Sequence, residues 1–306
     1  MASIKRIVEK TWLAAFVVIA LLFIVSYFKD ETDKIARILD ADIRLLGAAL
    51  LAQVAYFCVA VLTWRKALFY TTGKTVGFRE GLSQGLMISF GKYIPGKIWG
   101  MAARGTRLKT LGYTLEEISR ASYLDQALLL VTGSWLAFLC GTLVFDSTVY
   151  VLGLLLTSLG LLFFSQGSKF VGKIARSVPK FDWLGKLFDT RVSIGKVMIL
   201  GIGCVVIWLC LAATFMLFCT SIISVDLTPA NAAIFVLSLT AGYLAGFLAI
   251  FAPGGVGVRE GVGAAFLTSI VTLEEAVLLM LLFRVWIVIA ELAAGSVVLA
   301  RRKDSA

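Results

Sequence analysis

Between Lys196 and Arg259 the chain carries neither lysine nor arginine. A stretch so long without a cation is written for hydrocarbon, because the amphipathic helices and strands of water-soluble folds keep a polar face. The same character recurs along the chain. Residues 11–28, 45–64, 121–144, 149–165, 197–222 and 276–300 are apolar runs close to the ~20 residues that cross a bilayer as a helix. A spanning segment in lipid must satisfy its own backbone, and runs this long and continuous do so as helices. The expected fold is an all-α polytopic membrane protein with six full spans. Composition agrees: 16% of the 306 residues are charged, against about 25% in soluble domains.

The net charge of +10 would suggest nucleic acid in a soluble protein. Here the basic residues fall in connectors beside the runs. Orientation and anionic lipid headgroups account for them, so no nucleic-acid partner is expected. Lys5, Arg6 and Lys10 precede the first run, and Arg65, Lys66, Lys74 and Arg79 follow the second. The loop 166–196 holds seven basic residues, and Arg301, Arg302 and Lys303 stand at the end. These segments belong in the cytoplasm, which implies a multi-pass protein of the cytoplasmic (inner) membrane with both termini inside. Residues 29–44 then fall outside, although they carry four basic residues. Histidine is absent, which removes the commonest general base and metal ligand. Cys58, Cys140, Cys204, Cys210 and Cys219 lie in apolar segments without a Cys-x-x-Cys pair and read as packing residues. No cofactor and no metal are expected.

Two segments break the pattern. Residues 80–104 place Lys92, Pro95, Gly96 and Lys97 at the centre of an otherwise span-like stretch, with Arg79 before it and Arg104, Arg107 and Lys109 at its far end. A segment with basic residues at both ends leaves and returns to one side, as a re-entrant hairpin. Residues 233–271 contain Pro253, Gly254 and Gly255, then Arg259 and Glu260, and read as a second hairpin. Such irregular backbone survives at membrane depth only against protein or water. Nineteen residues after each proline the chain reads Thr-Leu-Glu-Glu, at Thr114–Glu117 and at Thr272–Glu275. Both are helix N-caps with acidic first turns. The chain therefore reads as two repeats, 1–145 and 146–306, each of two spans, a hairpin and a span. An odd number of spans inserts the second repeat upside down, with one hairpin entering from each side, an arrangement of transporters.

The charges gather at these breaks. Arg284 and Glu291 lie two turns apart on one face of the last span, and Asp125 holds the matching place after the first hairpin. Charge at membrane depth is costly unless paired or hydrated. One reading is structural. Arg259 with Glu260, or Arg284 with Glu291, fix packing as ion pairs. Lys92 and Lys97 snorkel to headgroups, Arg104 is an orienting cation, Asp125 a local cap, and Gly254 and Gly255 serve only a turn. The other is functional: an excess of cations beside helix N-termini suits an anion, above all a phosphate.

At YIPGKIWGMAARGTRL and FAPGGVGVREG the sequence resembles the lysylphosphatidylglycerol synthase transmembrane region, or flippase-like, family. The shared pattern falls on Pro95, Gly96, Lys97, Trp99, Arg104, Asp125, Pro253, Gly254, Gly255, Gly257, Arg259 and Glu260. Aspartate stands at 125 where the family more often has glutamate. The resemblance implies movement of an anionic, often aminoacylated, phospholipid between leaflets, or a part in polyprenyl-phosphate glycan assembly. A chain of this length has no room for the fused aminoacyl-transferase domain. The expected function is a lipid translocator, more transporter than enzyme, holding an anionic membrane lipid or lipid-linked phosphate on Arg259, Arg284 and Lys97. Two alternatives stand beside it. One is a membrane-embedded transferase on a lipid phosphate, for which Asp40-Ala-Asp42 is the one DxD match. The other is a non-catalytic subunit with glycan-assembly partners, or a homo-oligomer.

Overall fold

The computed structural model describes residues 40–94, 98–160, 192–249 and 252–300. The expected span at 11–28, the Pro95-Gly96-Lys97 turn, nearly all of the 166–196 loop and the cations at 301–303 lie outside the described residues. Every regular element described is helical: α1 (Ile43–Thr72), α2 (Phe78–Gly91), α3 (Trp99–Thr110), α4 (Leu115–Val144), α5 (Thr148–Gly160), α6 (Ile194–Ile222), α7 (Pro229–Leu248), a 3-10 turn (Pro253–Gly255), α8 (Val258–Leu267) and α9 (Leu273–Ala300). Five of these, α1, α4, α6, α7 and α9, are long and apolar enough to cross a membrane. The chain is an all-α, multi-pass membrane protein.

Local chemistry sets the ends. Asp42 caps α1 by accepting from the Arg44 amide at 2.8 Å, and Gly73, at φ 75°, closes it. The two Thr-Leu-Glu-Glu stretches form the same reciprocal cap. The Thr114 amide donates to Glu117 at 2.8 Å and the Glu117 amide to the Thr114 hydroxyl at 3.2 Å. Thr272 and Glu275 repeat this at 3.1 and 3.3 Å. Thr228 caps α7, with Pro229 in its first turn.

Packing then gives the bundle two ends. α1 and α6 run antiparallel: the Asp42 amide donates to the Ser221 carbonyl at one end, while at the other the Lys196 ammonium lies 5.2 Å from the Tyr70 ring. Near that second end, Lys74 pairs with Glu117 at 3.1 Å and reaches the Gly112 carbonyl, and Arg79 donates to the Val298 carbonyl. The ends of α1, α3 and α9 and the starts of α2, α4 and α6 therefore lie together. At the opposite end Phe145, after α4, packs on Phe266 near the end of α8, with centroids 6.3 Å apart. So α2 and α3 form a helical hairpin rooted at one end, and α7, the 3-10 turn and α8 form one rooted at the other. Their tips meet: the Gly254 amide donates to the Lys92 carbonyl at 2.7 Å.

The core behind the tips is aromatic, with Phe215 on α6, Phe235 on α7 and Phe283 on α9 all fully buried. The outer faces stay apolar as well. Leu51 is 73% and Ile202 64% exposed, as side chains facing lipid are. One length differs from the sequence reading. The first arm of the second hairpin, α7, spans twenty residues against fourteen in α2. No charge, and no proline beyond its first turn, interrupts α7 before Ala249, so nothing shortens it.

Both hairpins close on glycine. A Cβ on Gly91 would overlap the Gly100 backbone, and one on Gly255 would lie 2.7 Å from the Gly246 Cα. Gly91→Ala should therefore cost about 1–3 kcal/mol as an overpacked contact. Gly47→Ala, where a Cβ meets nothing within 4 Å, should be neutral or slightly stabilising. Thermal unfolding of the two purified variants in the same detergent checks the contrast.

Candidate functional site

The second chain break builds half of the site. After the 3-10 turn, Gly257 at φ 82° redirects the chain into α8. Glu260, in the first turn of α8, reaches back to accept the Gly257 amide on one carboxylate oxygen at 2.7 Å. Its other oxygen accepts from Arg284 Nη1 at 2.5 Å, across to α9. Arg284 Nη2 lies 3.5 Å from the Gly254 carbonyl. Turn, helix start and final helix are thereby tied through one carboxylate and one guanidinium.

The first break supplies the other half. Lys92 Nζ meets Glu291 Oε1 on α9 at 2.5 Å, and the Tyr93 hydroxyl donates to Glu291 Oε2 at 3.2 Å. The Tyr93 ring is shared between cations, with Lys92 Nζ 5.0 Å and the Arg284 guanidinium carbon 5.9 Å from its centroid. Glu291 is 4% exposed and Glu260 6%, so both carboxylates are buried and each has two donors.

Arg259 is different. It is 7% exposed, and its guanidinium lies face-on to Tyr243 of α7, 3.4 Å from the ring centroid. Among the described residues no carboxylate pairs with it. Ser238 on α7 accounts for the close approach, donating to the Gly263 carbonyl at 2.7 Å and pinning α8 alongside. Among the described residues, Lys92, Arg259 and Arg284 therefore face the two carboxylates of Glu260 and Glu291, and one positive charge is left over. The arrangement can accept an anion. Both of its carboxylates are already paired with a cation.

The structure divides the sequence-derived candidates. It brings together Lys92, Gly254, Arg259, Glu260, Arg284 and Glu291, with Pro253 and Gly255 in the turn itself. The pairs that form are Arg284–Glu260 and Lys92–Glu291, each joining two elements. Pro95, Gly96 and Lys97 lie outside the described residues. Arg104 and Asp125 make a second cluster. Arg104 is 2% exposed, stacked at 3.8 Å on Trp64 and 3.3 Å from Asp125. Sequence reasoning missed the aromatic partners Tyr243 and Trp64. The available signal was an aromatic with a polar tip inside an apolar run.

Residues 12–295 match the model of a family described as the lysylphosphatidylglycerol synthase TM region. A search of curated proteins finds no match.

The pairing makes a stability prediction. Lys92→Met leaves Glu291 buried without its cation and should cost about 3–5 kcal/mol. Adding Glu291→Leu should recover most of that loss. A double-mutant cycle read from thermal unfolding in detergent checks it, and equal losses in the single and double variants would contradict the pairing.

Proposed function

The chain belongs to the lysylphosphatidylglycerol synthase TM region family, and from that premise we propose that it moves an anionic lipid between leaflets. Family and fold are those of a flippase-like, lipid-handling membrane protein. The finer reading is that a phospholipid or polyprenyl-phosphate headgroup is held where the two hairpin tips meet. Its chains stay in the surrounding hydrocarbon.

The observation that carries this reading is the charge of Arg259, which no carboxylate pairs among the described residues. A buried guanidinium without a counter-ion costs several kcal/mol, and a phosphate supplies both the charge and the acceptors it lacks. Glu260 and Glu291 orient Arg284 and Lys92 rather than bind a cationic headgroup, because each carboxylate's charge is already matched by one of those cations. The same engagement weighs against the transferase reading, which needs a carboxylate free to take a proton. The meeting of tips rooted at opposite ends supports transport. A headgroup at the junction is reachable from either end if the tips part, and the Gly254–Lys92 backbone bond is worth only about 0.5–1.5 kcal/mol.

The topology behind this is two inverted repeats, 1–145 and 146–306. Six spans and two re-entrant hairpins place both termini in the cytoplasm, and one half rocks against the other. The matched caps at Thr114 and Thr272 support that division.

Purified protein in liposomes, with a fluorescent phosphatidylglycerol and a membrane-impermeant quencher, measures translocation. A charge-assisted hydrogen bond is worth about 1.5–3 kcal/mol, so Arg259→Gln should slow it roughly ten- to a hundredfold. Unchanged flipping by a folded Arg259→Gln variant would remove the basis for the tip site.

A further inference from the structure

The second cluster has a chemistry of its own. Arg104 is 2% exposed, yet among the described residues its Nε and Nη2 atoms have no hydrogen-bond partner. Those two nitrogens form the side edge of the guanidinium, whose parallel N–H groups make the fork that grips a carboxylate or phosphate bidentately. Nη1 reaches Asp125 at 3.3 Å, which is long for a charge-assisted bond. Asp125 also accepts from Gln126 at 3.0 Å.

The guanidinium plane is fixed from behind. It stacks at 3.8 Å on Trp64. The Trp64 indole donates to Gln84 at 2.8 Å, and Gln84 donates to Glu80 at 3.0 Å. Arg107 grips Glu80 through two nitrogens at 2.9 and 2.7 Å. This chain of bonds holds Trp64 in place while leaving the fork of Arg104 unspent. A buried, oriented, unsatisfied fork is costly to keep unless something binds it.

There is room for a ligand. A cavity of about 130 Å³ is walled by Tyr56, Trp64, Gly85, Arg104, Asp125 and Gln126. Gln126 also lines a larger groove, about 720 Å³, between α3 and α4. That groove is mostly apolar, with Met101, Ile118 and Leu130 in its walls and Ser122 and Tyr123 along it. Ile88 and Ser89, four and three residues before Lys92 at the first tip, also line the inner cavity.

We propose that the Arg104 cavity is a loading site for the phosphodiester of an anionic lipid, which docks on the Nε/Nη2 fork with its acyl chains in the α3–α4 groove before passing to the tips. The proposal rests on the lipid-translocation reading and adds a second station to it. Charge gives the two stations an order. Arg104 and Asp125 cancel, so the fork holds a phosphate by hydrogen bonding, with Lys109 the cation along the groove. The described residues of the tip cluster carry one excess positive charge, which draws the same phosphate onward. Arg104 lies on α3 between the tips and the end where α1, α4 and α6 gather, which places loading on that side of the membrane.

Native mass spectrometry of the full chain in detergent, titrated with dioctanoyl phosphatidylglycerol, counts the sites. Wild type should bind two lipids. Arg104→Lys keeps the charge beside Asp125 but loses the fork, and affinity at that site should fall about tenfold or more, leaving one lipid. Arg259→Gln should also bind one, at the loading site. Two lipids on Arg104→Lys with wild-type affinity overturn the proposal and leave a cavity filled by water, whatever Arg259→Gln does. Two lipids on Arg259→Gln sink the tip site instead. Should Arg104→Lys fail to fold, Arg259→Gln decides alone: one lipid supports the loading site and none overturns it. Inorganic phosphate that displaces the Arg104-dependent lipid at equal concentration makes this a site for the free anion and overturns the lipid assignment.

Discussion

The hydrogen bond from the Gly254 amide to the Lys92 carbonyl is the contact on which the rest of the centre depends. A helix that breaks in a low-dielectric interior exposes backbone groups that water cannot reach. Each break here supplies a partner for the other: one offers a donor, the other an acceptor. The solution needs glycine. Gly254 sits at φ 60°, and a Cβ there would lie 2.9 Å from Arg284 Nη2 and 3.2 Å from the Tyr93 ring. Two segments about 160 residues apart in sequence thus meet backbone to backbone, with their charged neighbours carried along.

α9 holds that junction together electrostatically. It presents a cation to one hairpin, as Arg284 to Glu260, and an anion to the other, as Glu291 to Lys92. The two residues stand seven apart, on one face, so a single straight helix clamps both tips. In this arrangement the ion pairs are geometry more than affinity. They cancel each other's charge, and among the described residues Arg259 remains to give the centre a sign. Its place against Tyr243 delocalises part of the cost without neutralising it. The Arg104 cluster is the complementary case: its charge is cancelled by Asp125, but its hydrogen-bonding capacity is not used.

Much of the scaffold was legible along the chain. The apolar runs marked α1, α4, α6 and α9, the Thr-Leu-Glu-Glu pairs marked two helix starts, and the Pro-Gly-Gly stretch marked the second break. These are local signals, carried by transfer energy and by contacts within one turn. Arg104 was harder. A cation after a hairpin looks the same whether it orients the chain or turns inward, and the inward turn follows from Gly100, Arg104 and Leu108 sharing the buried side of α3. The extent of α7 was also hidden, because an uncharged run does not announce whether it is a hairpin arm or a span.

By itself, the sequence determined that this chain lives in a membrane, where its helices start, where two of them break, and that charges collect at the breaks. Those properties are set residue by residue, by hydrophobicity and capping. Only the tertiary structure decided which cation meets which carboxylate, and so which cation, among the described residues, meets none. Pairing depends on separations of about 3 Å between residues on different helices, and no spacing along one helix encodes that distance. Arg259 and Glu260 are neighbours in the chain, yet Glu260 bonds to Arg284 and Arg259 faces a ring, because packing of α8 between α7 and α9 turns the two side chains in different directions.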